Sequence, residues 1–180
     1  MSKINYFVTA IAISMAFGAI KYSGNEVSAA GTVQVTCDTN SSIPTVAATL
    51  SNPQNPSSPK YQISQRTNIL SFLPEYFSPS EASANCQKTA SSLQKYYSRG
   101  EKNYLASDTI DGKPVVCAVE RRGVSCDGYS SEILFALEQP VNPNQLLYDM
   151  LGSDFKDAQI PSSRTVSRIY TDLRPTWWPF

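Results

Sequence analysis

The sequence contains no histidine. That removes Ser–His–Asp and Cys–His nucleophilic machinery and every His-ligated metal centre. It also lacks a charge excess. Lys and Arg number 15 and Asp and Glu number 15, so no basic face is provided for phosphates. Glycines are few, at 8 in 180 residues, and none forms a P-loop or dinucleotide-binding pattern. The four cysteines, at 37, 86, 117 and 126, show no C-x-x-C spacing, which argues against zinc. No cofactor is indicated.

The one long apolar run is Ile4 to Ile20, preceded by Lys3 and followed by the polar KYSGNEVSA. Val27-Ser28-Ala29 puts small or branched residues where a signal peptidase reads. Residues 1–30 are therefore expected to be a signal peptide, cut after Ala29 or Ala30. A retained anchor is the alternative, since about 17 apolar residues is the lower limit for spanning a bilayer. Either way the domain lies outside the cytoplasm. Removing Lys3, Lys21 and Glu26 leaves 13 basic and 14 acidic side chains, still balanced. An even cysteine count on such a chain reads as disulfides.

The remaining 150 or so residues suffice for one core. Gly31 to Asp38 alternates Val33, Val35 and Cys37 with polar residues, a half-buried strand. Pro44 to Leu50 reads as a second, edge strand. SNPQNPSSP, residues 51–59, is an exposed loop because its three prolines exclude a helix or a central strand. Lys60–Arg66 and Asn68–Phe72 are short strand candidates. The helix that follows has a capping box, Ser78 with Glu81, and Pro79 in its first turn. Ala82, Cys86, Thr89, Ala90, Leu93 and Tyr97 make its buried stripe; Gln87, Lys88, Ser91, Gln94 and Lys95 face the other way, and Gly100 ends it. Asp111-Gly112 marks a hairpin between Tyr104–Ile110 and Lys113–Glu120. Arg121-Arg122-Gly123 is a second turn, from which Val124 and Cys126 open a return strand. Ile133 to Leu137 reads as a buried strand, and Asn142-Pro143 caps a short helix that Gly152 ends.

Four cysteines allow three pairings. Nine residues across the RRG turn bring Cys117 and Cys126 within reach, so the expected pairs are Cys117–Cys126 and Cys37–Cys86. The fold class is α+β: a small antiparallel sheet packed by one long and one short helix, stapled by disulfides. Asp108, Asp111, Glu120 and Asp127 gather around the hairpin but lack the spacing of a calcium loop and read as turn and surface acids. The segment 153–180 reads as an aromatic and basic tail. In it Arg174, Trp177, Trp178 and Phe180 have the composition of interface hot spots and membrane-interface belts. Tyr96, beside the buried Tyr97, is a further candidate partner contact.

The order of motifs resembles the cyanobacterial COP23-domain family, named for a circadian-oscillating polypeptide. Val35-Thr36-Cys37 and Pro44-Thr-Val-Ala47 match its opening. Cys86, Tyr96-Tyr97, Gly100, Asn103-Tyr104 and Asp111-Gly-Lys-Pro-Val-Val-Cys117 match its most specific part. Cys126, Ile133-Leu-Phe-Ala-Leu137 and Asn142-Pro-Asn-Gln-Leu146 follow in order. Asn85 stands where the family has Arg and Ala136 where it has Thr, and residues 51–70 match poorly. The likeness covers residues 33–152 and leaves out the Trp-rich tail, so the domain is drawn at 31–152. The resemblance implies a protein in the periplasm, the thylakoid lumen or at a membrane periphery, and it implies no established enzyme activity and no catalytic residues. The expected function is thus a non-enzymatic extracytoplasmic module binding a protein partner or a membrane surface. A secreted hydrolase with a Ser or acidic site, or a protease inhibitor presenting Arg121 to Gly123, is the alternative.

Overall fold

The computed structural model describes residues 32–51, 65–99, 104–156 and 169–173. The expected signal segment, loop residues 52–59, the candidate strand residues 60–64, Gly100 and the tail residues 157–168 and 174–180 lie outside them. The described chain is α+β with two disulfides, Cys37–Cys86 and Cys117–Cys126. Its strands form two antiparallel sheets rather than one.

The first sheet is a meander of β1 (Thr32–Asp38), β2 (Thr45–Ser51) and β3 (Gln65–Ser71) in the order β1-β2-β3. β2 is its central strand, not an edge. Thr45, Val46, Ala47 and Ala48 are all buried, because small side chains allow both faces to be covered. Helix α1 spans Pro79–Arg99. Ser78 N donates to Glu81 Oε2 (3.0 Å) and Glu81 N to Ser78 Oγ (3.5 Å), which closes the capping box.

The second sheet runs β6-β5-β4-β7. β4 (Tyr104–Ile110) and β5 (Lys113–Val119) form the Asp-Gly hairpin, with φ of 50° at Asp111 and 77° at Gly112. Both values are positive, as a type I′ turn requires. The return strand β6 starts at Ser131 and ends at Ala136, later than Val124. Residues 120–130 instead turn back over the sheet, and Cys126 is drawn onto Cys117 of β5. A bulge between Val116 and Cys117 shifts the β5–β6 register, so Leu134 and Phe135 are both buried while Ile133 and Ala136 face outward. The Ile133–Leu137 run is therefore not buried throughout.

Helix α2 (Pro143–Met150) is capped by Asn142, whose side chain accepts from Asn144 N and Gln145 N. A short turn of helix, α3 (Ser153–Lys156), follows. β7 (Tyr170–Asp172), from the segment read as tail, pairs with β4. Asn144 Oδ1 holds it from α2 by accepting from Ile169 N (3.1 Å) and from Ser107 Oγ of β4 (2.7 Å).

One large core joins both sheets and the helices. It runs from Val35, Val46 and Leu70 through Cys86 and Leu93 to Val116, Leu134, Leu146 and Met150. Phe72, Phe77 and Phe135 meet edge to face, with centroids 5.3–5.6 Å apart, and bind the first sheet, the approach to α1 and β6 together. A smaller cluster of Ala106, Val115, Cys117, Val119 and Cys126 lies on the other face of the second sheet, beneath residues 120–130.

The Cys37–Cys86 link closes 49 residues and Cys117–Cys126 closes 9. Chain entropy then makes Cys37→Ala/Cys86→Ala the costlier pair of substitutions, about 4 against about 2.6 kcal/mol, readable from urea midpoints. Gly152 lies against β3, its N donating to Ile69 O (3.0 Å), and a Cβ there would fall 1.8 Å from Asn68 O. Gly152→Ala is expected to cost about 3 kcal/mol by forcing that backbone apart, again read by urea unfolding.

Candidate functional site

Polar side chains on α1 reach both sheets. On one flank Cys86 bonds to Cys37 of β1. Two turns on, Gln94 Oε1 accepts from Val35 N (2.6 Å) and its Nε2 donates to Val33 O (3.2 Å). That amide takes the place of a neighbouring strand along the outer edge of β1. Helical periodicity sets Gln94 on the solvent side; it is half-buried because it answers a strand edge rather than an apolar core. On the other flank Ser92 Oγ (2.6 Å) and Tyr96 OH (2.8 Å) donate to the two oxygens of Glu132 on β6. Ser92 is buried and Tyr96 half-buried, so Tyr96 joins helix to sheet.

This environment holds the Glu132 carboxyl below the usual glutamate range. The Ser92 hydroxyl acts first, and with Tyr96, Lys95 and Lys88 it outweighs partial burial. Asp38 is lowered by Arg66, whose Nη2 lies 2.5 Å from its carboxylate, and Glu81 by Ser78 in the capping box. Tyr76 is pushed up to about 12, chiefly by donating to Asp149 Oδ2 (2.7 Å). Burial raises Tyr97, whose hydroxyl donates to Leu173 O beside β7. Each of these groups ties one element to another or closes a cap.

The acidic residues of the hairpin do not converge. Asp108 accepts from Thr109 N (2.9 Å) and Cys126 N (3.3 Å), Asp127 accepts from Ser125 Oγ, and Asp111 forms the turn. Among the described residues no three acidic or cysteine side chains are placed to hold a metal ion.

What faces outward lies on the far side of the second sheet. Tyr129, in the 120–130 excursion, has a relative exposure of 109 %, and Ile133 on β6 has 41 %. Ile133 lies opposite Cys117 in the ladder, which sets it on the face covered by that excursion. The excursion is pinned by Cys117–Cys126, by Tyr170 OH donating to Val124 O (3.1 Å), and by Arg122, which lies 5.4 Å over the Tyr104 ring. Arg121, Arg122 and Gly123 are exposed at its start. The result is a rigid rim bearing an aromatic, an aliphatic and two cationic side chains.

Of the candidate contacts, Tyr96 is placed against Glu132, while Arg174, Trp177, Trp178 and Phe180 lie outside the described residues. Tyr129 and Ile133 escaped notice because Tyr129 sits among turn formers and Ile133 within an apolar run. Only the bulge turns Ile133 outward.

A family model described as circadian oscillating protein COP23 matches residues 34–177. The match runs past residue 152, takes in β7 and reaches Trp177, so the likeness extends into the tail. No curated protein and no solved structure matches the chain.

The Glu132 clip gives stability a pH signature. Its folded carboxyl binds a proton less readily than the unfolded one. Its contribution is complete above the ordinary value of 4.5 and fades as pH falls through the lowered folded value. Glu132→Gln is expected to cost about 1 kcal/mol at neutral pH, after allowance for solvent at this half-buried position. The gap from the parent should narrow on acidification, as followed by urea midpoints across a pH series.

Proposed function

The chain belongs to the circadian oscillating protein COP23 family, and on that premise we propose that it is a non-enzymatic extracytoplasmic module binding a protein partner through the outer rim of its second sheet. The observation that carries this reading is the exposure of Tyr129 and Ile133. They are the large hydrophobics left open among the described residues, on a face whose other apolar side chains are buried or partly buried. An exposed tyrosine on a loop that also carries Arg121 and Arg122 has the composition of an interface hot spot, and the disulfide spares part of the entropy of ordering that loop on binding.

Three further features support the proposal. Both disulfides suit an oxidising compartment, for which the periplasm or thylakoid lumen is the natural candidate. No helix of the described residues is long and apolar enough to cross a membrane. Among the described residues the carboxyls with shifted acidity, Asp38, Glu81 and Glu132, are lowered, whereas a general acid working near neutrality needs a raised one.

Affinity capture from the protein's own extracytoplasmic fraction tests the proposal with three forms: parent, Tyr129→Ser/Ile133→Ser, and a truncation lacking residues 174–180. A specific protein partner should be retained by the truncation and weakened at least about tenfold by the double substitution. Undiminished capture by the double variant overturns the assignment to the rim. Loss on truncation alone moves the contact to the tail. Equal sensitivity in binding to protein-free lipid vesicles replaces the partner by a membrane surface, and stoichiometric inhibition of a trypsin-like protease replaces it by an inhibitor.

A further inference from the structure

A second surface shares no residue with that rim. A groove of about 290 Å³ opens at the amino-terminal end of α1, between the β1–β2 connection and the turn after β3. We propose that it binds a neutral, polyhydroxylated ligand about the size of one sugar ring, a role independent of the partner-binding function.

The chemistry of the lining selects the class. Thr39, Ser41, Ser42 and Ser83 supply hydroxyls. Ser41 is engaged with Ile43 O (2.7 Å), which leaves Thr39, Ser42 and Ser83 for a ligand. A hydroxyl both donates and accepts, so it pairs without regard to orientation with another alcohol. No charged side chain lines the groove. An anion is further opposed by Glu81, whose carboxylate stands at the helix start and accepts from Ser78 N. A cation finds no carboxylate in the lining. The remaining lining is apolar: the rings of Pro44, Pro74 and Pro79, with Phe72 and Phe77 as the floor. This suits the C–H face of a sugar ring. A proline-rich peptide fits less well, because an extended segment of about four residues needs a longer groove than about 290 Å³ provides; Phe72 and Phe77 are nearly closed off, so a sugar ring would rest on the prolines. The volume sits at the lower end of ligand cavities, roughly 300 Å³ upward, and admits little beyond one ring.

The walls are fixed before any ligand arrives. Cys37–Cys86 joins the strand leading into Thr39 to the helix one turn beyond Ala82. Phe72 N donates to Pro44 O (2.9 Å) across the groove's base, and the phenylalanine trio holds the floor. Three prolines fix φ along the rim. Such a site loses little conformational freedom on binding.

Amide chemical shifts of the ¹⁵N-labelled full-length protein provide the test. The probes are methyl glucoside and maltose, with inorganic phosphate and tetraproline as comparators. Saturable shifts confined to residues 39–44 and 72–83, given by the sugars and not by phosphate, are expected. Ser83→Phe fills the groove from the half-exposed side of the helix and should weaken sugar binding at least about tenfold. Ser42→Phe, on the exposed connection, does the same without touching the helix, and a melting temperature near the parent's shows that either variant is folded. Absence of saturable shifts with both sugars overturns the proposal. So do shifts mapping elsewhere, sugar binding undiminished in a folded filled variant, or a stronger response to tetraproline.

Discussion

Among the described residues the two sheets share no ladder, and the two flanks of one helix fasten both of them to a common element. α1 is fastened to β1 by a covalent bond and a side-chain amide, and to β6 by a carboxylate receiving two hydroxyls. Between these flanks Ala82, Cys86, Ala90 and Leu93 fill the core. Apolar burial is non-directional and would tolerate rotation of the helix. The flanking contacts do not, because each needs a particular residue at a particular angle. They convert a helix that merely packs into one with a single azimuth.

This arrangement consumes much of the chemistry that could have made a reactive site. Serines 78 and 92, tyrosines 76, 96 and 97, and acids 38, 81, 132 and 149 are spent on caps, salt links and joints between elements. Among what remains turned outward are an aromatic and aliphatic rim at one place and uncharged hydroxyls at another. Both are the surfaces proposed above for recognition, and each adjoins a disulfide.

The sequence revealed the features whose cause is local. The capping box of α1, the Asp-Gly turn and the Asn142 cap each depend on residues a few places apart, and each stands where the pattern put it. The Cys117–Cys126 pair belongs with them, since nine residues limit the partners within reach. Features set by distant partners were not legible. β2 resembles an edge strand by its proline and small residues, yet those small residues let it lie in the middle. The bulge that turns Ile133 outward depends on β5, and β7 is held by Asn144 and Tyr97 from far along the chain. Gln94 was misplaced for the same reason. Helical periodicity counts apolar burial and is blind to an amide that mimics a peptide group.

That glutamine has a consequence for how copies of the protein coexist. β1 carries Thr32, Val33, Val35 and Thr36, a β-branched composition, at the border of its sheet. Bare borders of that kind recruit strands from other molecules and seed fibrils. Here the recruiting amide and carbonyl at Val35 and Val33 are already answered from within the chain. Two of the backbone groups that lateral stacking would use are thereby already occupied at a border whose composition invites it.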